Sequence, residues 1–147
     1  MTRYLIGVGS SHPRGAEYIQ QAYYLLSQHP LVQLKSSADV ITSPALGDQA
    51  IYAFSNTAFA LTTSLMPDAL WFLLRSIEHR LGRIRLFKNG PRTLDLDVLW
   101  SPWSIQTDFL TVPHPRLYER SFALNPAGKA AKKAQWPVHV SMHRPLF

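Results

Sequence analysis

The sequence of 147 residues contains no cysteine. Disulfides and thiolate metal sites are therefore excluded, and a reducing compartment suits the chain. No apolar run approaches the roughly 20 residues that span a bilayer. The N-terminus enters a strand-like run at Tyr4 without the segments of a secretory leader, so a cytoplasmic protein is expected. Acidic residues are also few, nine against fifteen Lys and Arg. The imbalance is local: residues 1–70 hold three basic and four acidic side chains, residues 71–147 twelve and five. A basic half implies an anionic partner, either a polyphosphate or a nucleic acid. Repeats, low-complexity tracts and linkers are absent. What is there, 46% hydrophobic and 12% aromatic residues, indicates one globular domain over 1–147, with 137–147 as a loose tail.

Tyr4 to Gly9 reads as a buried strand closed by the turn cluster Gly9-Ser10-Ser11-His12-Pro13. Its Gly-x-Gly is a weak phosphate-loop signal, lacking the third glycine and the Lys-Ser/Thr ending. Ile19, Ala22, Tyr23 and Leu26 keep helical spacing from about Gly15 to Gln28, and His29-Pro30 ends that helix. Leu31 to Ile41 is expected as one strand. Phe54 to Thr63 is expected as another, with Phe54, Asn56, Ala58 and Ala60 on one face and Phe59 and Leu61 on the other. Asn56 is a polar residue in its middle, either at a solvent-facing position or as a hydrogen-bonding site for a flat polar ligand. Pro67 and Asp68 open a second helix whose stripe, Leu70, Leu73, Leu74, Ile77 and Leu81, runs to Gly82. Trp71 and Phe72 widen that stripe and read as packing residues. Ile105 to Val112 is expected as a short strand, Pro113-His114-Pro115-Arg116 as a rigid turn, and 125–136 as a weakly patterned helix.

The most informative stretch is Asn89 to Trp100, NGPRTLDLDVLW. Gly90-Pro91 marks a turn, and Leu94, Leu96 and Val98 then alternate with Asp95 and Asp97. Period-2 alternation puts the two carboxylates on one face, about 7 Å apart. By itself such a strand most often has one face in water. Two like charges so close also invite a cation, and Mg²⁺ commonly uses one or two carboxylates plus substrate phosphates. Arg92, before the strand, can hold phosphates by paired hydrogen bonds. Arg83, Arg85 and Lys88 surround it with further positive charge. The element order suits an antiparallel or mixed sheet with two helices on one face, an α+β layer of the split-βαβ kind.

Three runs, Leu81-Gly82-Arg83-Ile84-Arg85, Gly90-Pro91-Arg92-Thr93-Leu94-Asp95-Leu96-Asp97 and Leu110-Thr111-Val112-Pro113-His114-Pro115-Arg116, with Arg120 and Phe122 downstream, resemble the 6-hydroxymethyl-7,8-dihydropterin pyrophosphokinases of folate biosynthesis. The resemblance extends more weakly from Tyr4 to about Asn125. It implies a ferredoxin-like α+β fold and transfer of pyrophosphate from ATP to the pterin hydroxymethyl group, with release of AMP. It implies two Mg²⁺ ions on Asp95 and Asp97. Arg83 and Arg92 would stabilise charge on the transferred group, and Arg83, Arg85, Arg92, Thr111, His114 and Arg120 would contact ATP. Ser43, Pro44, Leu46, Phe54, Asn56 and Phe122 would line the pterin slot. Asn89 departs from the family pattern, where a tryptophan is common.

Small-molecule partners, ATP and a reduced pterin, are thus expected, with neither nucleic acid nor membrane. Two other readings stand beside this one. A paralogue could apply the same ATP chemistry to a related acceptor, which Asn89 and the altered loop at 41–45 motivate. A ferredoxin-like module could instead stack nucleic-acid bases on its sheet, supported only by the basic half.

Overall fold

The computed structural model describes residues 1–43, 54–82, 93–115, 117 and 121–137. Its elements run β1 (Thr2–Ser10), α1 (Gly15–Ser27), β2 (Val32–Ser37), β3 (Ile41–Ser43), β4 (Phe54–Thr63), α2 (Pro67–Arg80), β5 (Asp95–Trp100), β6 (Ile105–Gln106), β7 (Thr111–Val112) and α3 (Ser121–Lys133). The main sheet has the order β2-β4-β1-β5, with β3 also paired to β4, and β6 and β7 form a separate hairpin. Every described pairing is antiparallel, so the α+β expectation resolves to an antiparallel sheet.

Alternation along the strands builds two cores. Tyr4, Ile6 and Val8 of β1 turn with Phe59, Leu61, Leu96 and Val98 toward one face. There α1 supplies Ile19, Ala22 and Leu26, and α2 supplies Leu70, Leu74 and Ile77. Leu5, Ala58, Ala60 and Leu99 turn to the opposite face, beneath Leu124, Ala127, Ala130 and Ala131 of α3. Three alanines on the helix and two on β4 have little side chain to separate them, so helix and sheet approach closely. The sheet is therefore covered on both sides, and among the described residues it offers no broad open face on which bases could stack.

Helix ends follow their local chemistry. Pro67 stands in the first turn of α2, where its missing N–H costs nothing, and Asp68 complements the positive end of the dipole. Gly82 follows the helix at φ +84°, a left-handed conformation that a side chain disfavours. Two expectations needed correction. The single strand foreseen over Leu31 to Ile41 divides into β2 and β3, because residues 38–40 leave strand geometry. Ala38 still holds β4 there, its N–H donating to the Ala58 carbonyl at 2.9 Å and its carbonyl accepting from Thr57 Oγ1 at 2.6 Å. The strand foreseen over Ile105 to Val112 is two short strands around a turn.

Candidate active site

One end of the α3-side face carries the polar residues. Register places Asn56 of β4 opposite Gly9 of β1, and Gly9 opposite Asp95 of β5. The next row is Ala58, Gly7 and Asp97. Because β1 contributes only glycines, the floor between Asn56 and the two carboxylates is open. A β-carbon at Gly9 would lie 3.1 Å from Asn56 Oδ1, and one at Gly7 would lie 3.0 Å from the Leu99 side chain. The Gly-x-Gly of β1 therefore makes room within a strand, and does not form a phosphate loop.

Over this floor lies a cleft of about 130 Å³ lined by Gly9, Phe54, Asn56, Asp95, Asp97 and His114, among others. Ser10 and Ser11, both buried, also line it. Phe54 is 48% exposed at the rim, a flat apolar surface left facing the opening. Asp95 and Asp97 are only partly buried. Their oxygens are hard donors on one face of a cleft, with space above for further ligands. That set fits Mg²⁺, which retains waters and shares substrate phosphates instead of occupying an all-protein cage. Among the described residues there is no group of three or more His, Asp or Glu that would form such a cage.

A second cavity, of about 250 Å³, adjoins the first. Asp97 and His114 line both. Its other walls include Trp71 and Arg75 of α2, Val98 of β5, and Phe109 and Thr111 of the hairpin. His114 is held by its backbone: its N–H donates to the Leu99 carbonyl at 2.9 Å, and its carbonyl accepts from Leu117 N–H at 3.0 Å. Trp71, foreseen as packing, stands in this wall, and Phe72 beside it is 54% exposed.

Behind the wall, β5 is the sheet edge, and α2 satisfies part of it. Glu78, 2% exposed, accepts from Leu96 N–H at 2.8 Å through Oε2. Its Oε1 lies 2.9 Å from Arg75 Nε, while the Arg75 guanidinium donates to the Leu96 carbonyl. Both backbone groups of the residue between Asp95 and Asp97 are thereby fixed from the helix. Neither member of this pair was singled out from sequence. The signal was the i, i+3 spacing of opposite charges with Glu78 next to Ile77 on the buried stripe.

The structure thus brings together Phe54, Asn56, Asp95, Asp97 and His114, with Thr111 on the far side of His114. Ser43 ends β3, opposite Phe54 in register, and Phe122 falls in the first turn of α3. Pro44, Leu46, Arg83, Arg85, Asn89, Arg92 and Arg120 lie outside the described residues, as does most of the expected tail.

The chain is similar to known proteins over most of its length. Residues 5–132 match the family model of 7,8-dihydro-6-hydroxymethylpterin-pyrophosphokinase. The 2-amino-4-hydroxy-6-hydroxymethyldihydropteridine pyrophosphokinase of Bacillus subtilis is 37% identical over 131 residues, 88% of this chain and 78% of that protein. The protein of the same name from Aquifex aeolicus is 32% identical over 140 residues, 95% of this chain and 86% of its own length. The Folic acid synthesis protein FOL1 of Dictyostelium discoideum is 36% identical over 94 residues, 63% of this chain but only 14% of that longer protein.

Proposed function

This chain belongs to the 7,8-dihydro-6-hydroxymethylpterin-pyrophosphokinase family, and on that premise we propose that it transfers pyrophosphate from ATP to the hydroxymethyl group of 6-hydroxymethyl-7,8-dihydropterin in the cytoplasm. The observation that carries the reading is the shared wall. Asp97 and His114 belong to two adjoining cavities, so a donor in one and an acceptor in the other would meet beside them.

The smaller cleft suits a flat acceptor. Asn56 offers both a donor and an acceptor to the amide-like edge of a pterin, and Phe54 offers a face to its ring. The larger cavity takes the nucleotide, with Thr111 and His114 toward its phosphates. The acceptor oxygen then forms a bond to the β-phosphorus of ATP as the bridge between the β-phosphorus and the α-phosphate oxygen breaks. The products are the pterin diphosphate ester and AMP, and the hydroxyl proton is released. Little covalent help is required of the protein in such a transfer; positioning and charge stabilisation supply most of the acceleration.

Asp95 and Asp97 would hold two Mg²⁺ ions, which when bound neutralise triphosphate charge and polarise the transferring group. The strand fixes the spacing of the two carboxylates, and the Arg75–Glu78 pair fixes the strand. His114 donates a hydrogen bond to a phosphate. On sequence resemblance Arg83 and Arg92 meet the charge developing on the transferred group, Arg85 and Arg120 contact ATP, and Ser43, Pro44, Leu46 and Phe122 complete the pterin slot. The direct test is incubation of the purified protein with ATP, Mg²⁺ and 6-hydroxymethyl-7,8-dihydropterin. AMP and pterin diphosphate should appear in equal amounts; no AMP at saturating concentrations of both substrates would refute the assignment.

A further inference from the structure

A third cavity, of about 300 Å³, lies across the sheet from the cleft that holds Asn56 and Asp95. It opens between α1 and α2, the helices that cover the face carrying Tyr4, Ile6 and Val8, whereas the cleft is on the α3 side. Leu25 of α1 and Leu73 of α2, both partly buried, form its walls, and Ile77, 5% exposed, lies toward the core. Among the described residues no hydrogen bond or ion pair joins the two helices across this gap.

The polar lining comes from the ends of the two helices, Gln28 and His29 after α1 and Arg80 closing α2. His29 is set by its turn: its N–H donates to the Leu26 carbonyl at 3.2 Å, its carbonyl accepts from Val32 N–H at 3.2 Å, and its Nδ1 accepts from Leu31 N–H at 3.1 Å. An Nδ1 that accepts leaves the ring hydrogen on Nε2, a donor with no acceptor among the described residues. Arg80 stands in the last turn of α2, where a base complements the helix dipole. It has no counter-charge among the described residues, because the acids of both helices are engaged elsewhere. Glu17 meets Arg14 at 2.7 Å, Asp68 accepts from Thr107 at 2.5 Å, and Glu78 meets Arg75 at 2.9 Å. None of the described residues lining the cavity is acidic. Apolar walls that end in a few donors, one of them a permanent cation, suit a ligand with an apolar body and one negative charge.

We propose that this cavity is a second ligand site, separate from the ATP chemistry, for a small carboxylate with a flat apolar body. The carboxylate sits on Arg80 and His29, and the body lies between Leu25, Leu73 and Ile77. A guanidinium takes a carboxylate by paired hydrogen bonds. A bare inorganic anion would leave the apolar walls in water. A multiply charged one would have a single permanent cation to balance it, and the C-terminal carbonyls of both helices would oppose the excess charge.

The test titrates 2-naphthoate into isotope-labelled protein followed by two-dimensional NMR, with 2-naphthalenemethanol as the same body without the charge and acetate as the charge without the body. 2-Naphthoate should shift the amides of Leu25 to His29 and Leu73 to Leu81 saturably, and leave those of Gly7, Gly9 and Asp95 in place. The alcohol should bind at least about fivefold more weakly, having lost a charge-assisted hydrogen bond. Acetate at the same concentrations should give no saturable shift. Arg80→Gln should abolish the preference for acid over alcohol while the melting temperature stays near wild type, since Arg80 is exposed. Ser76→Phe, which puts a ring into the cavity from α2, should block both naphthalenes. The absence of a saturable shift with 2-naphthoate would overturn the proposal, as would equal binding of acid and alcohol. So would wild-type affinity for 2-naphthoate in a folded Arg80→Gln protein, or shifts centred on Asp95 and Asp97 in place of the two helices.

Discussion

Replacing Glu78 by alanine should cost this protein more stability than its single charge suggests. The carboxylate is 2% exposed, accepts Leu96 N–H at 2.8 Å and pairs with Arg75 at 2.9 Å. Without it, the Leu96 amide on the open edge of β5 loses its acceptor, at about 1–3 kcal/mol. A guanidinium at 28% exposure also loses its counter-charge. Breaking one side of a buried ion pair costs about 3–5 kcal/mol in total. At about 2–4 °C per kcal/mol for a domain of this size, the melting temperature should fall by about 6–20 °C. Removing both partners, as Arg75→Met with Glu78→Leu, should cost less than the two single losses added together, because no charge is then stranded. Thermal unfolding for the melting temperature and urea unfolding for the cycle, both followed by circular dichroism, avoid the Trp71 fluorescence, since Arg75 contacts that ring. Additive losses across the cycle, or a Glu78→Ala midpoint within a degree or two of wild type, would show that α2 does not brace the strand through this pair.

Gly9→Ala should put a methyl 3.1 Å from Asn56 Oδ1 and raise the acceptor KM about five- to thirty-fold, the equivalent of one hydrogen bond of about 1–2 kcal/mol. The ATP KM and the melting temperature should hardly move, and steady-state kinetics varying each substrate separates the two. Burial raises the Tyr4 phenol above its usual pKa of 10.0. The folded state therefore keeps the proton more tightly than the unfolded chain. The resulting stability is complete below about pH 10 and declines as pH climbs beyond it. Tyr4→Phe should flatten that alkaline decline, which melting temperatures between pH 8 and 11 would reveal.

The carboxylate pair was legible because a strand's period is fixed by the backbone: whatever their neighbours, Asp95 and Asp97 had to share a face. The same rule divided β4 correctly, with Ala58 and Ala60 under α3 and Phe59 and Leu61 under α1 and α2. What lay beyond reading was register between distant strands. Nothing local places Gly9 between Asn56 and Asp95, so its glycine looked like a loop signal when its use is to leave the floor open. The break at Ala38 depends on Thr57, nineteen residues away. Trp71 matched its helix's apolar pattern well, and only the hairpin that brings Phe109 against it makes that ring part of a cavity wall.

The central claim is that Asp95 and Asp97 carry the metal on which pyrophosphate transfer depends. Asp97→Asn keeps the shape and the strand but removes one charged ligand from the wall shared by both cavities. With ATP, Mg²⁺ and the pterin at saturation, AMP release should fall at least about a thousand-fold, corresponding to about 4 kcal/mol of lost charge stabilisation, while the melting temperature stays near wild type. Near-normal turnover by a folded Asp97→Asn protein would contradict the account.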